Sequence, residues 1–272
     1  MTFSVLMGTY KNDDPEYLIQ AIDSIIKQTA QPNEIFIVKD GPLTRELDDI
    51  LEDYSQQFPE LFTFFPLKEN RGLGNALKIG IENCRNELIA RMDSDDIAKP
   101  NRFELQLNLF KTNSALDAVG GHIEEFDRIQ GDLNRIRKVK LNHNAILCHS
   151  KYRSPINHVT VMYKRKAVIK AGNYIKRFCG EDYDLWLRML INGCIFENVD
   201  QVLVDVRVGN GMIERRRGIK MFICEREYLR FAYKKKHFTK YEYYRNIFIR
   251  LVFRSMPPRL IKLFYSIVRY KG

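Results

Sequence analysis

The sequence predicts an α/β protein: a mostly parallel sheet flanked by helices, followed by a basic helical extension. Three observations carry this. Short apolar runs alternate with segments of helical period through roughly the first 112 residues. Each of three runs ends in polar residues, at Thr9-Tyr10, Asp40-Gly41 and Asp93 to Asp96. Charge is also uneven: residues 212–272 hold 17 Lys and Arg against 4 Asp and Glu, whereas the other 211 residues hold 27 against 30.

In chain order, Phe3 to Met7 reads as a first strand that stops at Gly8-Thr9. Tyr17 to Gln28 has apolar residues at Leu18, Ala21, Ile22, Ile25 and Ile26, which is helical spacing, and Asp14-Pro15 starts it. Glu34 to Val38 is a second strand closed by Asp40-Gly41-Pro42. A helix over Thr44 to Gln57 and a strand near Phe62 to Pro66 follow. Asn70-Arg71-Gly72-Leu73-Gly74 turns into a helix reaching about Cys84, then Leu88 to Met92 is a buried strand, and Asn101 to Lys111 is helical. Short turns between alternating strands and helices require parallel strands, whose carboxyl ends form the ligand edge. Beyond this, Asp117 to His122 and Val159 to Tyr163 read as strands, Gly180 to Ile191 as a helix, and the chain from Ile219 as helical, basic and aromatic.

A chain of 272 residues with 45% hydrophobic content can bury a large core. Five scattered cysteines without a C-x-x-C pair fit a reducing compartment and argue against both a disulfide framework and a cysteine zinc site. The N-terminus lacks a basic and apolar leader, and no stretch approaches about 18 charge-free apolar residues. The expectation is a cytoplasmic protein without a membrane span.

The richest chemistry lies in ELIARMDSDD, Glu87 to Asp96. A strand that stops at three carboxylates suits a hard divalent cation, Mg²⁺ or Mn²⁺, bound together with a diphosphate. The alternative is that Asp95 or Asp96 caps the next helix, since Pro100 suits a first turn. Asn70 to Gly74 could offer backbone amides and Arg71 to a phosphate, or be simple turn chemistry; it is neither a P-loop nor a dinucleotide fingerprint. In Gly180 to Met189 the spacing sets Glu181 and Asp182 at the head of an apolar stripe, Asp182 in line with the only tryptophan, Trp186. A carboxylate there is suited to take a proton from a hydroxyl. Asp184 falls on another face, within reach of Arg188. His158 reads as structural ahead of metal-ligating, and Arg215-Arg216-Arg217 as a diphosphate-closing loop or a solvated run.

The tail ends IFIRLVFRSMPPRLIKLFYSIVRYKG, and 13 of the 31 Phe and Tyr residues lie after Met212. Arg250 and Arg254 share one helical face, turned largely away from Ile247, Phe248, Leu251 and Val252. The pattern suits a helix on an anionic membrane surface, with core packing as the alternative; no nucleic-acid module is evident.

Taken together, SVLMGTY, AIDSIIKQT, EIFIVKDGP, ENRGLGNALKIGI, ELIARMDSDDIAKPNRFELQ, NHVTVMYKRKAVIKAGNY and EDYDLWLRM resemble the family-2 glycosyltransferases. These are inverting nucleotide-sugar transferases of the GT-A fold, and the likeness is to bacterial enzymes of capsule, exopolysaccharide and O-antigen assembly. It runs from Ser4 to about Gly218. The resemblance implies a domain over 1–218, with a nucleotide half over about 1–112 and an acceptor half over about 113–218, and a tail over 219–272. It implies Thr9, Tyr10 and Asp40 at the nucleotide base, Arg71 and Gly72 near the nucleotide, Asp93 at the ribose and Asp95 on the metal. Asp182 would be the general base, with Glu181 beside it near the acceptor. Lys39 departs from the further Asp many members carry. The absence of Q-x-x-R-W implies addition of single sugars. The expected donor is UDP-linked, and the acceptor a carbohydrate or a lipid-linked oligosaccharide. The tail would hold the protein peripherally on the inner face of the cytoplasmic membrane. A sugar nucleotidyltransferase and a non-catalytic membrane or nucleic-acid adaptor are the rival readings.

Overall fold

A computed structural model describes residues 1–209 and 218–256. One nine-stranded sheet forms the centre. Its first four long strands, β1 (Phe3–Thr9), β2 (Glu34–Lys39), β3 (Phe62–Pro66) and β4 (Leu88–Met92), pair in parallel in the order β3-β2-β1-β4. The helices between them are α1 (Pro15–Ile26), α2 (Arg45–Gln57) and α3 (Leu73–Asn83). Local signals set their starts: the Asp14 side chain accepts the Glu16 and Tyr17 amides, and Thr44 accepts the Leu47 amide.

The sheet continues past β4 with β8 (Met162–Lys164), β6 (Leu116–Phe126), β9 (Ile195–Arg207) and the two-residue β5 (Ile97–Ala98), while β7 (Arg135–Arg137) pairs with β6. β8 runs antiparallel to both β4 and β6, which interrupts the parallel pairing before β6 and β9 resume it. Here the expected strand over Val159 to Tyr163 is only partly realised. His158–Thr160 form a 3-10 turn, because the buried Thr160 folds back so that its amide and hydroxyl both donate to the Asn157 carbonyl. β9, with Glu197, Asn198, Asp200 and Gln201 in its middle, has no clean alternation and escaped the sequence reading.

Alternate residues of the strands feed two apolar layers. Val5, Met7, Ala90 and Met92 face α1, α2 and α4 (Arg102–Thr112). Leu6 and Ile89 face α3, α6 (Arg165–Lys170) and α7 (Glu181–Ile191), around the fully buried Trp186. The short α5 (His143–His149) lies on β9. Two further helices, α8 (Ile219–Lys234) and α9 (Lys240–Ser255), form a hairpin on α7, packed through Tyr183, Leu187, Tyr228 and Leu229. Among the described residues, no helix is long and apolar enough to cross a membrane.

Candidate active site

The acidic turn sits at the carboxyl end of β4, at the rim of the sheet. Carboxylate oxygens of Asp93, Asp95 and Asp96 all lie within 4.8 Å of one another. Neither Asp95 nor Asp96 caps α4; Asn101 takes the cap position, and Asp96 is buried and accepts the Arg207 amide at 3.0 Å. Beneath the turn, the buried Arg91 guanidinium donates to Asp93. Arg102, also buried, donates to the Arg91 carbonyl at 2.7 Å. Crowding by protein, then repulsion from Asp93 and Asp13, raises the Asp95 carboxyl to about 6, and Asp96 is raised by burial and by its two neighbours. Carboxylates held together against their own repulsion are a donor set that a hard divalent cation relieves, so the residues fit Mg²⁺ or Mn²⁺.

The end of β1 leans onto this turn. Asp13 collects the Thr9 hydroxyl at 2.9 Å, the Tyr10 amide at 3.2 Å and the Ser94 hydroxyl at 2.7 Å. The Thr9 side chain is therefore tied inward and buried, while Tyr10 stands exposed at the rim. At the end of β2, the two Asp40 carboxylate oxygens accept the Arg71 and Gly72 amides at 2.7 and 2.9 Å. Those amides, read from sequence as phosphate donors or turn chemistry, are committed to Asp40. Gly41 lets the segments close up: at φ +91°, a Cβ there would lie 2.7 Å from the Asn70 nitrogen. The exposed Arg71 side chain pairs with Glu69 at 3.4 Å.

The opposite wall is the start of α7. Gly180 adopts the left-handed conformation, and Glu181 and Asp182 occupy the first turn. Burial, then repulsion from Asp182, raises the Glu181 carboxyl. Among the described residues, Asp182 receives the Ser154 hydroxyl at 3.4 Å and no other hydrogen bond. The α3 and α7 starts meet, since a Cβ on Gly74 would sit 3.7 Å from the Glu181 Cβ. Asp184 is buried away from this wall between Arg188 and Arg177, each at 2.9 Å, as its spacing from Arg188 implied. His158 is buried, bonds the Tyr174 hydroxyl at 2.9 Å and packs edge-on to Trp186, with its pKa pushed down by burial.

Sequence reasoning missed Asp13, Ser94 and Arg207. Arg207 lies over the Tyr17 ring at 3.7 Å, donates to the Asp95 carbonyl at 3.2 Å, and so ties the end of β9 to the acidic turn. Asp13 sits in the run Asn12-Asp13-Asp14, where the helix cap absorbed the signal; nothing in sequence linked residue 207 to residue 95. Arg215 to Arg217 lie outside the described residues.

Comparison with known proteins gives the family and the fold. The sequence model of Glycosyl transferase family 2 matches residues 4–171, and the chain belongs to that family. It is 38% identical over 255 residues to an Escherichia coli protein named UDP-Gal:alpha-D-GlcNAc-diphosphoundecaprenol beta-1,3-galactosyltransferase, covering 94% of this chain and 92% of that one. It is 34% identical to the amylovoran biosynthesis glycosyltransferase AmsE of Erwinia amylovora, covering 97% and 98% of the two chains. Among solved structures, residues 1–349 of S. aureus TarS with UDP-GlcNAc superimpose with a TM-score of 0.66 at 16% identity; the match covers 84% of this chain and 66% of that one. The mannosyltransferase PcManGT of Pyrobaculum calidifontis, in complex with GDP-Man and Mn2+, gives 0.65 at 15% identity, covering 99% and 81%. The fold is therefore GT-A, as the resemblance implied, with C-terminal helices added.

Proposed function

We propose that this protein transfers one sugar, with inversion, from a UDP-linked donor to a hydroxyl of a lipid-linked saccharide used in bacterial surface polysaccharide synthesis. The observation that carries this is the pairing of two acidic centres across one rim: Asp93, Asp95 and Asp96 after β4, and Glu181 with Asp182 at the start of α7. The donor and acceptor classes are those printed in the name of the Escherichia coli relative. In this reading residues of about 1–112 hold the donor, about 113–218 receive the acceptor, and 219–272 face an anionic membrane surface.

Asp40, with Thr9 and Tyr10, borders the nucleotide base, and Arg71 and Gly72 border the rest of the nucleotide. Asp40 fixes the Arg71–Gly72 turn through both of its carboxylate oxygens. Asp93, clamped by Arg91, stands at the ribose side, and Asp95 with Asp93 would hold Mg²⁺ or Mn²⁺. When bound, that cation supplies charge neutralisation for the departing diphosphate. Asp182 takes the proton of the acceptor hydroxyl, whose oxygen attacks the anomeric carbon as the carbon–diphosphate bond breaks. Glu181 borders the acceptor beside it. Family membership decides against the nucleotidyltransferase and adaptor readings.

Titration calorimetry with UDP, with and without Mn²⁺, tests the donor site. The expected result is metal-dependent binding that Asp95→Ala abolishes and Asp182→Asn retains, with Asp182→Asn losing transfer by at least about a hundredfold. A folded Asp182→Asn protein with full transfer activity would falsify the assignment of the base.

A further inference from the structure

Helix α9 buries charge on one side and exposes apolar residues on the other. Its inward side carries Asn246, Arg250 and Arg254, with Tyr243 and Ile247 packed against the apolar layer beside them. Arg254 meets the buried Glu225 of α8 at 2.7 Å, Arg250 lies 3.6 Å from the same carboxylate, and Asn246 donates to the Lys151 carbonyl at 2.8 Å. The two arginines that sequence reading placed at a membrane surface are thus spent inside the fold.

The outward face is apolar. Tyr241, Tyr244, Phe248, Ile249, Leu251 and Val252 are all exposed, Tyr241 by 74% and Phe248 by 67%. At about 100° per residue they span an arc of roughly 160°. No Asp or Glu interrupts it, and its one cation, Arg245, folds back over the Tyr152 ring at 4.1 Å. Exposed lysines, Lys234, Lys235, Lys236 and Lys240, stand at its N-terminal end. Contiguous exposed apolar patches are uncommon on soluble proteins and mark sites of interaction with a partner or a membrane.

We propose that the outward face of α9 is a bilayer-docking surface, its aromatic and aliphatic side chains entering the interface of an acidic membrane while the four lysines rest on anionic headgroups. Charge selects this occupant. A second copy of the chain brings the same basic rim, whereas acidic lipid complements it. From Tyr241 to Val252 the helix rises only about 18 Å, too short to span hydrocarbon and suited to lie in its surface. The opposite side of α9 places Arg250 5.9 Å from the centre of the Tyr183 ring, next in sequence to Asp182. A docked membrane would then lie one helix layer from Tyr183, the neighbour in sequence of the proposed base. The choice of lipid rests in part on the reading of a lipid-linked acceptor.

Flotation of the full chain with vesicles tests it. Phosphatidylglycerol–phosphatidylcholine vesicles should retain the protein at least about tenfold better than phosphatidylcholine alone, the difference shrinking with salt. Phe248→Glu with Leu251→Glu should lose at least about tenfold in partition. Lys235→Glu with Lys236→Glu should weaken binding to the acidic vesicles alone. Both double variants should keep the thermal midpoint of the parent and its transfer to a water-soluble acceptor fragment. Unchanged partition of the Phe248–Leu251 variant overturns the proposal, including the case in which residues 257–272 carry the binding. So does a parent that ignores acidic vesicles, or a parent dimer that this variant splits. If no sugar is transferred yet the partition pattern holds, the reaction reading falls and the docking surface stands.

Discussion

Asp95 reaches solvent at the rim, yet desolvation by the surrounding protein, then repulsion from Asp93 and Asp13, pushes its carboxyl up to about 6. Below that value it carries a proton that a cation must displace. Mn²⁺-dependent UDP binding should therefore weaken by up to about tenfold per pH unit as pH falls through about 6, measured by calorimetry across that window. Binding that stays flat from neutrality to well below 6 would take Asp95 out of the metal set. Arg91 shows how much of this centre was legible. The sequence placed it in a strand running into acids, and the structure adds that it is buried and donates to Asp93. Asp13 was hidden, because a carboxylate beside a helix start reads as a cap. Only the fold brings it to Ser94, 81 positions away.

At the scale of elements, local side-chain caps fix the starts of α1, α2, α5 and α9. α9 begins with a reciprocal cap: Thr239 accepts the Glu242 amide at 3.2 Å, and Glu242 accepts the Thr239 amide at 2.7 Å. Burial works against the charged Glu242, but the Thr239 amide and hydroxyl with Lys151 outweigh it and hold its pKa below the usual 4.5. A depressed carboxyl stabilises the fold above its unfolded pKa, and that contribution disappears as pH falls through the folded value. Glu242→Gln should cost about 0.5 kcal/mol at neutral pH, after allowance for screening, and the gap to the parent should close below about pH 4. Chemical denaturation at the two pH values checks this; a gap that widens in acid would contradict it. β9 marks the opposite case. Its polar centre conceals a strand, because neighbouring β6 and its bulges accommodate side chains that a simple alternation would forbid.

At the scale of the whole molecule, a buried charge cluster helps the apolar layer of α7 and α8 hold the C-terminal hairpin. Glu225 is nearly closed to solvent between Arg250 and Arg254, and the aromatic layer of Tyr183 and Tyr228 seals it against α7. Removing the carboxylate leaves the Arg250 charge buried among tyrosines. Glu225→Ala should cost about 3 kcal/mol and loosen the hairpin before the sheet unfolds. Hydrogen exchange should find amides of α8 and α9 losing protection while β1, β2 and β4 keep theirs. Equal loss throughout would mean that the hairpin and the sheet form one cooperative unit.

The sequence by itself determined the parallel β3-β2-β1-β4 region, its helices and the three polar strand exits. Each follows from a period of two or of about 3.6, closed by a cap or a turn that needs only near neighbours. It also determined that Glu181 and Asp182 open a helix together. What only the tertiary structure decided was partnership. It spent the Arg71 and Gly72 amides on Asp40, joined Arg207 to the acidic turn, and turned Arg250 and Arg254 inward while facing Phe248 and Leu251 to solvent. The physical reason is that spacing fixes which side chains share a face, whereas a buried partner such as Glu225 decides which face turns inward.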